Sequence, residues 1–202
     1  MGRINNILRK VVNMCNRIKL KNKNFTLIAS NCNGCFICHD LNVRFNSPFV
    51  NLYLESRDFI KYIKNIEYYN KCEINFINDK SVNYPVGMLD DIKLYFVHYE
   101  SEEQARSKWI ERSKRINLEN IFILMTDRDG CTKEDLIEFD NLPYKNKVVF
   151  THLPYDDINS AIYIKGFEEE KQVGMCFNFK NRYTGKKYYD DFDYVNWFNE
   201  GK

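Results

Sequence analysis

Residues Asn24–Leu41 read NFTLIASNCNGCFICHDL, and this stretch decides the fold because it joins a short apolar strand to a helix. The run 25–29 predicts a buried strand, and the polar pair Ser30 and Asn31 predicts a turn after it. Cys32 then stands at the predicted start of a helix. Free backbone N–H groups and a partial positive charge at such a position lower the pKa of a thiol. The stretch therefore predicts a reactive cysteine directly after a core strand.

The composition indicates a folded globular protein. The 202 residues are enough for one full domain or at most two small ones, and 44% of them are hydrophobic. The net charge of +2 gives no reason to expect nucleic acid as a partner. Seven cysteines, an odd number in a chain of this length, indicate reduced thiols and a cytoplasmic protein. We see neither a secretory signal nor an apolar run of about 18 residues, as a transmembrane helix needs.

Residues 1–23 predict a basic amphipathic helix that precedes a single α/β domain at 24–202. Apolar residues recur at helical spacing between Ile4 and Ile18, and no acidic side chain occurs before Asp40. Such a helix packs its apolar stripe on the body of its own domain, which is the interpretation we favour. The alternative is peripheral contact of residues 3–21 with an anionic membrane, here its inner face.

Apolar segments with the period of strands alternate with segments that have the period of helices. This alternation predicts an α/β layered domain with a mainly parallel or mixed sheet flanked by helices. The predicted strands are 25–29, 49–54, 73–77, 92–99, 121–125, 148–150, 162–167 and 173–179. The predicted helices after the first are 32–43, 57–69 with Ser56 as its cap, 101–115, 132–139 and 188–198.

Sites in such sheets lie at the carboxyl ends of strands. Chemically active side chains follow or end several of the predicted strands. They are Cys32, His98, Asp127 with Asp129, and His152. We therefore expect these residues to belong to one edge of the sheet.

The first functional hypothesis is a thiol nucleophile. Cys32 would attack an acyl group, and His98 would act as the base because a neutral imidazole accepts a thiol proton near pH 7. Asn31 or a backbone N–H at the helix start would stabilise an oxyanion. The local pattern Asn31-Cys32-x-Gly34, followed by a histidine on a strand, is similar to that of papain-like cysteine peptidases. The alternative is that His98 merely fills a half-buried strand position.

The second hypothesis is transfer from a nucleotide sugar. Asp127-Arg128-Asp129 directly follows an apolar strand, as the Asp-x-Asp element of many glycosyltransferases does. Two carboxylates there would hold a divalent metal that bridges a diphosphate. An acidic turn before a capped helix is the simpler interpretation.

A third hypothesis is a metal or iron–sulfur site at Cys32, Cys35, Cys38 and His39. Thiolates at this spacing are soft ligands. The chain has no second closely spaced pair, so we favour Cys35 and Cys38 as small core residues.

A polar and aromatic group on the helix 101–115 and just beyond it is a further candidate for substrate binding. Its members are Trp109, Arg112, Arg115 and Asn117. Arginines bind phosphate or carboxylate through paired hydrogen bonds. The alternative is a solvated helix face with ion pairs.

Several motifs together resemble a bacterial family, the domain of unknown function 1919 proteins, which are often labelled exopolysaccharide biosynthesis proteins. The motifs are 25–34 with Cys32, Ser47-Pro48-Phe49, Tyr84-Pro85-Val86-Gly87, Phe96-Val97-His98-Tyr99, Trp109-x-x-Arg112-x-x-Arg115-Ile116-Asn117, Asp127-Arg128-Asp129-Gly130-Cys131-Thr132, and Leu142-Pro143-Tyr144 with Phe150-Thr151. The resemblance implies a role in making capsule, exopolysaccharide or lipopolysaccharide. It implies no particular reaction. Cys35 and Cys38 depart from the family pattern.

The sequence thus predicts a cytoplasmic group-transfer enzyme whose partner is a sugar, a nucleotide sugar or a lipid-linked glycan. We expect Cys32 and His98 to be catalytic and Asp127 with Asp129 to be metal ligands. The expected substrate-binding residues are Asn31, Gly34, Trp109, Arg112, Arg115, Asn117 and His152. A metal-dependent glycosyltransferase and a non-catalytic scaffold at the membrane remain the alternatives.

Overall fold

A parallel sheet of four strands organises the computed structural model, which describes residues 3–201. The strands lie in the order β1 (Thr26–Ala29), β5 (Ile121–Thr126), β6 (Lys147–Thr151) and β7 (Ala161–Tyr163), and all three pairings are parallel. Parallel sheets are covered on both faces, which explains why β5 is an unbroken buried run instead of an alternating one. The predicted α/β class and mainly parallel sheet are confirmed.

A smaller antiparallel sheet is inserted between β1 and β5 in the chain. It contains β2 (Ile74–Ile77), β3 (Val86–Leu89) and β4 (Ile92–Tyr95), joined in sequence order. The tight turn between β3 and β4 places Asp90 at a φ of 56°, which aspartate tolerates better than most residues.

Helices cover the parallel sheet and connect its strands. They are α1 (Arg3–Lys19), α2 (Asn33–Leu41), α3 (Ser56–Lys64), α4 (Ile66–Tyr69), α5 (Glu102–Ser113), α6 (Lys133–Asp140) and α7 (Tyr194–Glu200), with 3₁₀ turns at Leu118–Asn120 and Tyr188–Asp191. Within residues 3–201, no helix is both long and apolar enough to cross a bilayer.

The parallel sheet separates two hydrophobic cores. Ile28, Ile123 and Met125 pack into the core that contains α3, α5, α6 and the small sheet, whereas Leu27 and Phe122 pack into the core beneath α2 and α7. Side chains alternate between the two faces along each strand, so both faces of β1 and β5 are buried. Because β1 and β5 pair in parallel, their carboxyl ends lie at the same edge of the sheet.

Two predicted strands, 49–54 and 173–179, are wrong. Residues 49–54 form a loop with a single bridge between Tyr53 and Tyr95, and residues 173–179 form an irregular segment with one bridge, between Phe179 and Lys187. Their backbone N–H groups bind elsewhere: Leu54 donates to the Ser30 carbonyl, and Val173 donates to Asp127. Non-local partners of this kind leave no pattern in a local segment.

Other predicted elements exist with shorter bounds. The strand predicted at 92–99 ends at Tyr95, and the strand predicted at 162–167 is only Ala161–Tyr163. The helix predicted at 57–69 breaks at Asn65, whose φ of −144° is not helical. The last predicted helix begins only at Tyr194.

Ser56 is not the cap of α3 but its first residue, after Glu55 at the cap position. Its hydroxyl donates to the Arg128 carbonyl, and its backbone N–H donates to the Asp129 carbonyl. Ser56 therefore holds the loop that follows β5.

Helix α1 packs in the orientation opposite to the one we favoured. Its polar side chains Asn5, Arg9 and Asn13 are buried against the body of the protein. Its apolar stripe faces outward, with five side chains 50–76% exposed: Ile4, Ile7, Val11, Met14 and Ile18. The prediction that this stripe packs on the domain is therefore wrong. The division into residues 1–23 and 24–202 stays a prediction, and residues 1, 2 and 202 lie outside the described residues.

A buried ionic cluster around Asp40 explains this orientation. The Asp40 carboxylate lies 2.7 Å from Arg9 Nη2 and 2.8 Å from Lys187 Nζ, and it accepts a hydrogen bond of 2.9 Å from Asn13. Arg9 Nη1 lies 2.5 Å from Asp190. Since buried charges are stable only with partners, the polar face of α1 must turn inward.

The Tyr189 hydroxyl completes the cluster by donating to Asp40. Burial alone would raise the pKa of Asp40, but the hydrogen bonds from Lys187 and Tyr189 and the charge of Arg9 lower it to about 2. The cluster thus joins α1, the end of α2 and the segment before α7 through one carboxylate.

We predict that Asp40→Asn lowers the free energy of unfolding at pH 7 by about 3 kcal/mol, because Arg9 and Lys187 lose a buried counter-charge. Urea unfolding followed by circular dichroism measures the change. The control is Asp91→Asn, an exposed carboxylate that pairs with Lys61, for which we expect a loss of less than about 1 kcal/mol.

We also predict how Asp40→Asn changes the dependence of the free energy of unfolding on pH. The pKa of folded Asp40 is below the unfolded value of about 3.9, so its stabilisation is present above pH 4 and disappears between about pH 4 and 2. Asp40→Asn should make the loss of stability in that window shallower. An unchanged slope would contradict the assignment.

Candidate functional site

A cavity of about 520 Å³ opens at the carboxyl edge of the parallel sheet. The residues that follow β1 and β5 line it together with the loop after β4. The lining residues are Asn31, Cys32, Asn33, Phe36, Tyr53, Tyr84, Val97, His98, Arg128, Asp129, Gly174, Met175 and Phe177. The predicted residues Asn31, Cys32, His98 and Asp129 are therefore together in one cavity.

Asn31 fixes the turn between β1 and α2. Its side-chain oxygen accepts hydrogen bonds from the backbone and the side chain of Asn33, at 3.2 and 3.0 Å. Its amide donates to the Thr126 hydroxyl at 2.7 Å, which ties the turn to the end of β5. Asn31 thus positions the start of α2 and also lines the cavity.

Gly34 has a packing role. A Cβ atom at this position would lie 2.5 Å from the Ala29 Cβ and 3.3 Å from Leu27 Cδ2. The missing side chain lets α2 lie directly on β1. Gly34 is absent from the cavity lining, so the structure gives its predicted substrate contact no geometric basis.

Cys32 occupies the cap position of α2, as predicted, but its pKa is shifted in the opposite direction. Burial, together with the nearby Cys35 thiol and Asp129, raises the pKa of Cys32 to about 11. The expected lowering is therefore wrong. The helix start favours a thiolate by a fraction of a kcal/mol to about 1 kcal/mol, whereas desolvation of a buried charge costs more.

His98 reaches the same cavity from a turn and not from a strand. The turn follows β4, and the backbone N–H of His98 donates to the Asn51 carbonyl at 3.3 Å. Asn51 has a φ of 62°, so the loop that it belongs to turns sharply at this contact. His98 is exposed, and within residues 3–201 no hydrogen bond joins its ring to Cys32. The two groups share a cavity without a preformed ion pair.

Asp129 is a further titratable group that lines the cavity with Cys32 and His98. Its φ of 58° places its backbone in the left-handed region, which is common at functional turns. Burial raises the pKa of Asp129, against the lowering by the Arg128 charge and a hydrogen bond from Asn31.

Asp127 is fully engaged inside the protein. One carboxylate oxygen accepts the backbone N–H of Val173 at 2.6 Å. The other accepts the backbone N–H of His152 at 2.8 Å and contacts its ring Nδ1 at 2.5 Å. Asp127 and His152 therefore tie together the ends of β5 and β6 and the 173–177 wall of the cavity.

A divalent metal does not fit Asp127 and Asp129 in this arrangement. The Asp127 oxygens already accept three hydrogen bonds, which leaves Asp129 as a single carboxylate donor. Across residues 3–201, no group of three His, Cys, Asp or Glu side chains is arranged to hold a metal ion. Cys32, Cys35 and Cys38 likewise do not form a metal-binding cluster with His39 among the described residues. Cys38 is buried in the core, and Cys35 lies 3.6 Å from the Asn51 side-chain oxygen.

The predicted group on and after α5 is not part of the cavity. Trp109 is buried and packs against Phe49, Tyr62 and Phe96. Arg112 donates to the Tyr99 hydroxyl at 2.8 Å. These contacts hold α5 on the core.

Arg115 and Asn117 likewise make structural contacts. Arg115 donates to the Phe45 carbonyl at 3.1 Å and pairs with Glu111. The Asn117 side chain accepts from Glu119 at the start of a 3₁₀ turn. For Arg115 the structure agrees with the alternative interpretation, a helix face with ion pairs, because Arg115 pairs with Glu111.

Sequence reasoning missed the aromatic walls of the cavity. Phe36 stacks on Phe177 with ring centroids 4.2 Å apart, and Tyr53 stacks on Tyr95 at 4.5 Å. Phe36 lies one helical turn after Cys32, so the sequence alone could have placed the two residues on the same face of α2. Tyr53 and Phe177 lie on irregular segments, and no periodicity marks them.

We predict that iodoacetamide labels Cys32 slowly at pH 7 and that the rate rises up to about pH 11, because the neutral thiol is unreactive. Mass spectrometry of peptides measures the rate at each pH. Asp129→Asn should shift the profile to lower pH because it removes a neighbouring negative charge. A rate that is already constant below pH 8 would contradict the raised pKa.

We also predict that Asp127→Ala destabilises the protein by about 2–3 kcal/mol, because two buried backbone N–H groups lose their acceptor. Thermal unfolding with and without Mg²⁺ or Mn²⁺ measures this effect. The control is Asp156→Ala, an exposed carboxylate at which we expect little change. A large metal-dependent stabilisation that is lost in Asp127→Ala would show that Asp127 is a ligand.

A protein of Haemophilus influenzae, described as an uncharacterized protein, is 51% identical over 196 residues, which cover 97% of this chain and 94% of that protein. The family described as "Domain of unknown function (DUF1919)" matches residues 3–199, which include the cavity and both sheets. The chain therefore belongs to the domain of unknown function 1919 family, as its motifs indicated.

Proposed function

We propose that the cavity is the active site of a group-transfer enzyme of bacterial capsule, exopolysaccharide or lipopolysaccharide biosynthesis. One observation carries the proposal: Cys32, His98 and Asp129, from three separate loops, line one cavity at the carboxyl edge of a parallel sheet. The substrate class is a sugar, a nucleotide sugar or a lipid-linked glycan. The polysaccharide context rests on the family resemblance, and the chemistry rests on the cavity.

The reaction that suits this set of groups is acyl transfer. The Cys32 Sγ attacks the carbonyl carbon of an acyl donor while His98 accepts the thiol proton. The bond to the leaving group breaks, and the leaving group takes the proton from His98. An acceptor hydroxyl then attacks the thioester and gives its proton to His98, which returns it to Sγ. The products are the acylated acceptor and the free thiol.

The raised pKa of Cys32 assigns a definite task to His98. At neutral pH the resting thiol carries its proton, so the nucleophile forms only when a base removes it. His98 belongs to the turn after β4, and its exposed side chain lines the same cavity as Cys32.

The walls of the cavity suit a sugar-containing substrate. Phe36, Tyr53, Tyr84 and Phe177 contribute aromatic surface to the cavity, and Asn31 and Asp129 contribute polar atoms. Binding sites for small molecules combine mostly apolar walls with a few polar groups that set orientation. Arg128 donates to the Val173 carbonyl at 3.0 Å, so one of its nitrogens is already engaged.

Asp129 favours a second candidate, glycosyl transfer. A half-buried carboxylate with a raised pKa is suited to accept the proton of an acceptor hydroxyl. This version needs Asp129 alone, because Asp127 is engaged by His152 and Val173. The scaffold alternative requires an exposed apolar face on residues 4–18 and no cavity beside Cys32. The outward stripe of α1 agrees with the first requirement, and the cavity weighs against the second.

We predict that p-nitrophenyl acetate acetylates Cys32 with a burst of nitrophenolate, since an activated ester tests the nucleophile without the natural donor. Intact-mass and peptide mass spectrometry locate the acetyl group. His98→Ala should slow the burst by about a hundredfold or more, the range for loss of a general base.

The control is Cys72→Ser, a half-buried thiol outside the cavity, which should leave the burst unchanged. Acetylation that is absent from Cys32, or equally fast in His98→Ala, would contradict the thiol mechanism. In that case Asp129→Asn would be assayed with nucleotide sugars as donors.

A further inference from the structure

The outward apolar stripe of α1 is the largest feature that the cavity does not explain. Ile4, Ile7, Val11, Met14 and Ile18 recur at alternating spacings of three and four residues and are 50–76% exposed. From Ile4 to Ile18 the stripe extends over 14 residue steps, which is about 21 Å of helix. Apolar rows on surface helices normally face the core, so a row that faces outward indicates a docking surface.

The orientation of the stripe is held by strong contacts. On the opposite face Arg9 pairs with Asp40 and Asp190, and the Asn5 amide donates to the Asn181 carbonyl at 2.7 Å. Gly185 approaches so closely that a Cβ there would lie 2.6 Å from the Arg9 nitrogen. The helix cannot roll its stripe inward without breaking buried ion pairs.

The charges around the stripe are of one sign. Every charged side chain between residues 3 and 39 is basic. Lys10 and Arg17 are exposed on the edge of the stripe, Lys19 is exposed at the helix end, and Lys21 and Lys23 follow. The turn that packs on α1 adds two more exposed cations, Arg182 and Lys186.

The acidic groups near α1 are mostly engaged, and Asp190, Asp191 and Asp193 line a second cavity with Asn16 and Lys19 and not with residues of the stripe. Asp40 and Asp190 are paired with Arg9. Asp191 pairs with Lys180, and Asp193 accepts the Asn196 N–H at the start of α7. The surface around the stripe therefore remains basic.

We propose that α1 docks the protein on an anionic lipid surface, with its apolar stripe inserted among the headgroups. Apolar side chains on one face with flanking lysine and arginine are the features of helices that lie in a membrane interface. Each flanking cation adds attraction to an anionic leaflet that salt weakens.

A second copy of this chain fits the stripe less well. The spacing would allow two such helices to pair, but the flanking positions at residues 3, 10 and 17 are all basic and α1 has no acidic residue to complement them. Charge complementarity therefore favours lipid phosphate over another α1.

The test is sedimentation of the full chain with vesicles. We expect at least about tenfold stronger binding to phosphatidylcholine vesicles that contain phosphatidylglycerol than to phosphatidylcholine alone, and weaker binding as salt rises. The double variant Ile7→Asp with Val11→Asp should reduce binding by about tenfold or more. The matched control is Ile137→Asp, an exposed isoleucine on α6, which should bind like the native chain.

A fluorescent reporter gives a second measurement that does not depend on a disruptive change. Trp109 and Trp197 are buried, so Met14→Trp adds a solvent-exposed fluorophore on the stripe. Its emission should shift to shorter wavelength when phosphatidylglycerol vesicles are added.

Two results would overturn the proposal. One is a native chain that does not bind anionic vesicles, with no emission shift in Met14→Trp. The other is a dimer in sedimentation equilibrium that Ile7→Asp with Val11→Asp dissociates, because a second copy would then occupy the stripe.

Discussion

The buried carboxylate of Asp40 is the constraint on which much of the architecture depends. A charge at this depth is stable only with partners, and the chain supplies them from positions far apart in sequence: Arg9 and Asn13 on α1, and Lys187 with Tyr189 before α7. Satisfying Asp40 therefore fixes both termini of the described chain against α2. The apolar stripe of α1 faces outward as a consequence.

The fold was predictable from the sequence where the residue pattern of a short segment is enough to specify its structure. The runs at β1 and β5 are apolar because both faces of the sheet are covered, and the cap and turn residues after them are local signals. The orientation of α1 was not predictable in this way. Its apolar period identifies a helix with two faces, but which face turns inward depends on Asp40 and Asp190, which no pattern within residues 3–19 reveals.

The same division applies to the cavity. The edge rule for parallel sheets grouped Cys32 and Asp129 correctly, because both follow strands of the parallel sheet, whereas His98 reaches the cavity from the turn after β4 of the antiparallel sheet. The Asp-x-Asp pattern suggested Asp127 as a metal ligand, but no local pattern shows that Val173, 46 residues further along, occupies that carboxylate. Side chains that line the cavity from irregular loops, such as Tyr53 and Phe177, depend on contacts of this long-range kind.

The protonation of Cys32 shows which of two opposing effects dominates at the start of α2. Desolvation is the largest cause of the shift and raises the pKa of Cys32 to about 11, whereas the helix terminus favours the thiolate by about 1 kcal/mol at most. A thiol of this kind does not react with stray electrophiles at rest. In the proposed mechanism it becomes nucleophilic only when His98, from its exposed turn, removes the proton. In the part of the chain that the structure describes, no hydrogen bond joins Cys32 to the His98 ring. Reactivity would therefore depend on the substrate bringing the two groups together.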